Sequence, residues 1–135
     1  MKAILLTLVS LIVDLTFSFC QNSKSLSCII LSEASSTNEV FNLAELKGQE
    51  IYLVDTFGFF DSTCVPETKF GKLHITRSKF RKYSLDRYIL VSFIGTRDSA
   101  LAIQFFYPQT GLSVMQYFSI RGTSVNTIKK TVGNF

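Results

Sequence analysis

Two apolar segments joined by a short polar connector constrain this chain more than any other feature. Arg87 to Ile94 reads R-Y-I-L-V-S-F-I and Ala100 to Tyr107 reads A-L-A-I-Q-F-F-Y, with Gly95-Thr96-Arg97-Asp98-Ser99 between them. β-Branched and aromatic runs on either side of a Gly/Asp/Ser connector predict a β-hairpin. Both segments are apolar at successive positions, so both faces of the hairpin must be covered. A barrel wall packed by a helix meets that requirement, and so does a closed sandwich.

The neighbouring sequence extends the same pattern. Ile51-Tyr52-Leu53-Val54 followed by Phe57-Gly58-Phe59-Phe60 reads as a strand with a glycine bend. Asp61 to Thr68 is a loop, and Lys72-Leu73-His74-Ile75-Thr76 alternates as a half-buried strand should. Ser78 to Asp86 is polar and basic, suited to a hairpin connection or an edge. Leu112 to Arg121 fits two readings. Val114, Met115, Phe118 and Arg121 suit a helix, whereas Val114, Phe118 and Ile120 share one face of a strand with only Gln116 out of place. Upstream, Phe41 to Leu46 suits a helical turn capped by Asn38 or Asn42 and ended by Gly48. The Ser-rich stretch Gln21 to Asn38 reads as an extended arm.

The first residues are of another kind. Lys2 precedes Ala3 to Val13, an apolar run broken only by Thr7 and Ser10 and closed by Asp14. Its length suits the core of an export signal, about 7–15 residues, and falls short of the roughly 17–25 of a membrane span. Residues 1–20 are therefore expected to be a signal peptide, and 21–135 a single secreted β domain that does not span the membrane. Cleavage after Cys20, with Ser18 upstream, leaves Cys28 and Cys64 as a pair. Cleavage after Ser18, with Thr16 upstream, leaves three cysteines. Bulky Phe19 argues against a lipid-anchored Cys20. With Gln21 as the mature start, an oxidising compartment favours a Cys28–Cys64 disulfide. Such a bridge would close a long loop and contribute about 2–4 kcal/mol.

Charge is unevenly spread. Lys69, Lys72, Arg77, Lys79, Arg81, Lys82 and Arg87 are opposed only by Asp86 within Lys69–Arg87. This run suits an anionic surface or a protein partner, and equally the solvated face of two strands and their turn. Secretion makes nucleic acid the weakest partner. Chemistry is sparse by comparison. His74, the one histidine, sits mid-strand without a nucleophile motif or ligand partners at metal spacing. Asp55 and Asp61 are spaced for a cation but more commonly cap turns. No catalytic residues, metal or cofactor are expected, and the chain is read as a non-enzyme.

The remaining signal is an aromatic surplus: 13 Phe and 5 Tyr with no Trp. These rings either interlock as a solid core or line a cavity for an apolar guest. Composition alone favours the solid core.

Three stretches bear on that choice. Phe41-Asn42-Leu43-Ala44-Glu45-Leu46-Lys47-Gly48 resembles the opening of the lipocalins, and Tyr83-Ser84-Leu85-Asp86-Arg87-Tyr88-Ile89-Leu90-Val91 resembles their second signature. Arg121-Gly122-Thr123-Ser124-Val125-Asn126-Thr127-Ile128-Lys129-Lys130-Thr131 is similar to the tail of apolipoprotein D-like members, and Cys28 sits where those carry an N-terminal disulfide cysteine. Glu50 stands where the family places its tryptophan, and Gly48 lies only 38 positions before Asp86. That interval leaves room for about four to six strands in place of the family's eight.

The resemblance implies a mainly β fold. It would be a short antiparallel barrel or partly open lipocalin-like meander, with Leu112–Arg121 as one C-terminal helix. It implies a carrier of a small hydrophobic molecule of the lipid, retinoid or pigment class, held by Tyr52, Phe57, Tyr88, Leu90, Phe93, Phe105 and Tyr107. The other expectation is a secreted protein-binding module, an effector or inhibitor with a solid core, working through Lys69–Arg87.

Overall fold

The structure is a computed structural model describing residues 25–64, 66, 71–77 and 88–134. One helix, α1 (Leu26–Thr37), leads through two short 3₁₀ turns (Glu39–Asn42 and Ala44–Leu46) into six strands. These are β1 (Ile51–Val54), β2 (Leu73–Thr76), β3 (Tyr88–Arg97), β4 (Ala100–Tyr107), β5 (Leu112–Arg121) and β6 (Ser124–Asn134). They form one sheet in the order β2-β1-β3-β4-β5-β6. The chain is mainly β, and its sheet is open: β2 and β6 are its two edges rather than neighbours.

The expected hairpin is β3–β4, and the Leu73–Thr76 strand is also present. Four other expectations are corrected. The Ser-rich composition of Gln21–Asn38 suggests an extended arm. From Leu26 onward the segment is α1, started by the Ser25 side chain accepting from the Cys28 amide, with Ile30, Leu31 and Ala34 buried on one stripe. Tertiary burial overrides propensity there. Leu112–Arg121 is strand β5, not a C-terminal helix. The sheet is not wholly antiparallel, since β1 pairs with both β2 and β3 in parallel. Finally, Phe57–Phe60 is not a strand. Buried Asp55 ends β1, its carboxylate accepting from the Phe57 amide at 3.1 Å and the Phe60 amide at 2.8 Å. Asp61 likewise caps a turn, and the hydrogen bonds it accepts from the Thr63 amide and hydroxyl hold its carboxyl below the ordinary range.

Side chains alternate across the sheet, so register divides it into two faces. The proximal face carries Leu53, Val91, Ile103, Phe105, Val114 and Phe118 against α1 and the 3₁₀ turns, all of them buried. Phe41 meets Phe105 edge-on, with ring centroids 5.1 Å apart. The Cys28–Cys64 disulfide ties α1 to the segment following β1.

A polar seam crosses this apolar layer. Asn38 Nδ2 donates to Gln116 Oε1 at 2.9 Å, and Gln116 Nε2 donates to the hydroxyls of Thr37 and Thr127. The Thr127 hydroxyl donates in turn to Glu33. Every member has a partner, which is what permits burial.

Candidate functional site

The distal face, opposite α1, is assembled by register alone. His74, Tyr52 and Tyr88 are successive partners across β2, β1 and β3, and the His74 and Tyr52 rings stack at 5.1 Å. Glu50 Oε1 lies 3.8 Å from His74 Nε2. Leu90, Phe106 and Ser113 form the next row, and Phe93, Gln104, Met115 and Thr131 another. Gln104 Nε2 donates to Ser113 Oγ at 2.7 Å.

A bulge in β3 determines which rings reach this face. Val91 pairs with Phe105 and Phe93 with Gln104, so Ser92 is an extra residue. Strict alternation would turn Ile94 away from the core and Phe93 into it. With the bulge, Val91 and Ile94 both point proximally and Phe93 distally. This is the physical reason the segment looks apolar on both faces.

Beyond the bulge the distal face becomes cationic. The guanidinium of Arg97 sits 4.7 Å from the centroid of the Phe93 ring. The ammonium of Lys129 sits 5.7 Å from that of Tyr117. Cations placed over aromatic faces in this way are attracted by the ring quadrupole. Arg97 of the first pair and Tyr117 of the second line a solvent-open depression of about 220 Å³, with Gln104, Met115, Thr131 and Gly133 among its other walls. Arg97, Lys129 and Thr131 are exposed, while the centre of the face is half-buried or buried. Asp98 is the one acidic residue among 88–134, against Arg97, Arg121, Lys129 and Lys130. Lys130 is withdrawn to the proximal side, where it bonds Glu39 and the Thr37 carbonyl.

The seven residues expected to line a ligand cavity are divided by this geometry. Tyr52, Tyr88, Leu90 and Phe93 share the distal face. Phe105 and Tyr107 are fully buried on the proximal face. Phe57 is 56 % exposed in the turn after β1. Of the basic stretch, Lys72 and Arg77 are described and exposed. Lys69, Lys79, Arg81, Lys82 and Arg87 lie outside the described residues, as does the expected signal peptide.

Sequence reasoning missed Arg97, Gln104, Met115, Tyr117 and Lys129. The pairing of Tyr117 with Lys129 follows only from the β5–β6 register, which the helical reading of Leu112–Arg121 concealed.

Among the described residues no cluster of three or more His, Cys, Asp or Glu side chains is arranged to hold a metal ion. No described helix is long and apolar enough to cross a membrane. No family model matches the chain, and neither a curated protein nor a solved structure matches it.

Proposed function

We propose that the chain is a secreted, non-enzymatic binding module that engages an acidic partner protein on the distal face of its sheet. The observation that carries this reading is the pair of cations, Arg97 and Lys129, each laid on an aromatic ring of the distal face, with Arg97 and Tyr117 also lining a shallow depression. Rings held flat under positive charge offer apolar contact and charge complementarity together, the combination found at interface anchor residues. The disulfide is compatible with an oxidising, extracellular setting.

A carrier of a small hydrophobic molecule is the second reading. It is favoured by the gathering of Tyr52, Tyr88, Leu90 and Phe93 on one face. Holding such a guest requires a second wall over that face, and the described helix and 3₁₀ turns pack on the other one.

Two titrations separate the readings. Immobilised poly-glutamate, standing in for an acidic protein surface, is expected to retain the protein at low ionic strength and release it as salt rises. Arg97→Gln with Lys129→Gln is expected to weaken retention by about tenfold. Saturable, salt-independent binding of retinol or a fluorescent fatty acid, unaffected by those two substitutions, would replace the module with the carrier.

A further inference from the structure

The two edges of the sheet are unequal. β2 has four residues, whereas β6 has eleven and is the longest strand. A long edge strand leaves a row of backbone donors and acceptors without strand partners, and proteins usually guard it with outward lysines, bulges or a covering element. Among the described residues, β6 has those devices in its first half only. Ile128 is an extra residue opposite Tyr117 and Phe118, and the Thr127 amide donates to Glu33 of α1.

The second half, Lys129 to Asn134, pairs regularly with β5 from Tyr117 to Leu112. Its two lysines do not guard the edge. Lys129 folds over the Tyr117 ring on the distal side, and Lys130 reaches the Thr37 carbonyl and Glu39 on the proximal side. What remains exposed there beside Lys129 is Thr131, Val132 and Asn134, uncharged side chains with one large apolar residue among them. Of the five exposed large hydrophobic residues among those described, Ile120, Ile128 and Val132 all lie on β5 and β6. Val132 is 53 % exposed and Ile128 60 %.

We infer that this half of β6 is a self-association edge, and that its occupant is the same segment of a second copy of the chain. Three features select a second copy. The open stretch is extended backbone, the form with which another strand pairs. An antiparallel pair of identical strands is closed by a two-fold axis, so each copy supplies the surface that it needs from the other. Lys130, the charge nearest the centre of the pairing, is already engaged by Glu39 within each molecule.

Alternation then fixes the register to an even sum of residue numbers, because partners across a continuous sheet must share a face. Centring on Val132 sets Val132 against Val132, Thr131 against Gly133 and Lys130 against Asn134, with no lysine opposite a lysine. The two six-stranded sheets become one continuous sheet. Both distal faces then lie on the same side, which makes the proposed binding face bivalent. The contact is small, as only one short strand segment per copy takes part, so the dimer is expected to be weak and concentration-dependent.

Sedimentation velocity on the full chain, expressed for export and purified oxidised, tests this. A monomer–dimer equilibrium is expected at high concentration, with Val132→Lys weakening it by at least about tenfold while leaving the melting temperature almost unchanged. Hydrogen exchange on the unsubstituted protein gives an independent readout: amides of Lys129–Asn134 should gain protection as concentration rises, and those of β2 should not. A protein that stays monomeric at the highest soluble concentration overturns the inference. So does a dimer indifferent to Val132→Lys, or one whose β6 amides are equally protected at every concentration. Retention of a monomeric Val132→Lys protein on poly-glutamate that falls again when Arg97→Gln and Lys129→Gln are added would leave the binding face standing whatever becomes of the edge.

Discussion

The ring of Phe93 lies against the backbone of Gly95, two residues further along β3. A Cβ added at Gly95 would meet Phe93 Cζ at 2.8 Å and Cε1 at 3.2 Å. The glycine is therefore a seat, and the ring seated on it carries Arg97 above. Gly95→Ala is expected to push the ring tip aside and part the cation from its aromatic partner. Because the obstructing atom is the end of a side chain, the cost in stability should stay near 1 kcal/mol. Retention on an acidic matrix should fall together with the near-ultraviolet circular dichroism, while the far-ultraviolet signal is kept. An unchanged near-ultraviolet spectrum would mean that the Phe93 ring does not depend on this seat.

A second expectation concerns the polar seam. Gln116 sits at zero exposure among apolar neighbours and accepts from Asn38 of the helix C-terminus. Gln116→Leu removes that acceptor and strands the Asn38 amide, at a cost of about 1–3 kcal/mol. Replacing Asn38 at the same time by Ser, whose hydroxyl still accepts from the Val40 amide as the Asn38 Oδ1 does, should recover part of the loss, because no side-chain amide is then stranded. Chemical denaturation of the two single variants and the double variant closes the cycle. Additive losses would argue that the contact has no coupling energy.

That same pair explains what could be read from the sequence. The β3–β4 hairpin was legible because its apolar runs and turn residues are local. In Leu112–Arg121 the strand pattern was visible through Val114, Phe118 and Ile120, with Gln116 as the misfit. The misfit is resolved only by Thr37 and Asn38, which end a helix where the serine-rich sequence suggests an extended arm. One misreading thus sustained the other. Tyr52 and Tyr88 were legible as aromatic strand residues, but the face they share with His74 follows only from the register of β2, β1 and β3. The distal face was illegible at Tyr117 and Lys129, because charge over a ring depends on register rather than on spacing.

The β3–β4 turn offers a gain in stability. Asp98 and Ser99 link the strands as a two-residue connection, with φ of 51° and 62°. Positive φ at both positions is the type I′ geometry, which favours Asn or Asp followed by Gly. Asp98 tolerates it, whereas Ser99 carries a Cβ against the steric preference for negative φ. Ser99→Gly is expected to stabilise the domain by about 0.5–1 kcal/mol, read as a rise in the denaturation midpoint at constant slope. A fall in the midpoint would show that the unfolded-state entropy of glycine outweighs the relieved strain.

Acid sensitivity should centre on Glu39. Partial burial acts to raise its carboxyl pKa, but the hydrogen bond from Lys130 and the charge of that ammonium outweigh it, and the net direction is below the ordinary value of 4.5. A carboxylate depressed in the folded state contributes stability that is fully present above its unfolded pKa. That stability is lost as pH falls through the lower folded value. The contribution should therefore be intact at neutral pH and disappear in acid. The side chains are 44 % and 29 % exposed, so solvent and salt should weaken it. Glu39→Gln should melt lower than the unsubstituted protein at neutral pH and converge with it below the pH at which Glu39 is protonated. Equal separation of the two melting curves at every pH would show that Glu39 holds Lys130 and the end of α1 by packing rather than by charge.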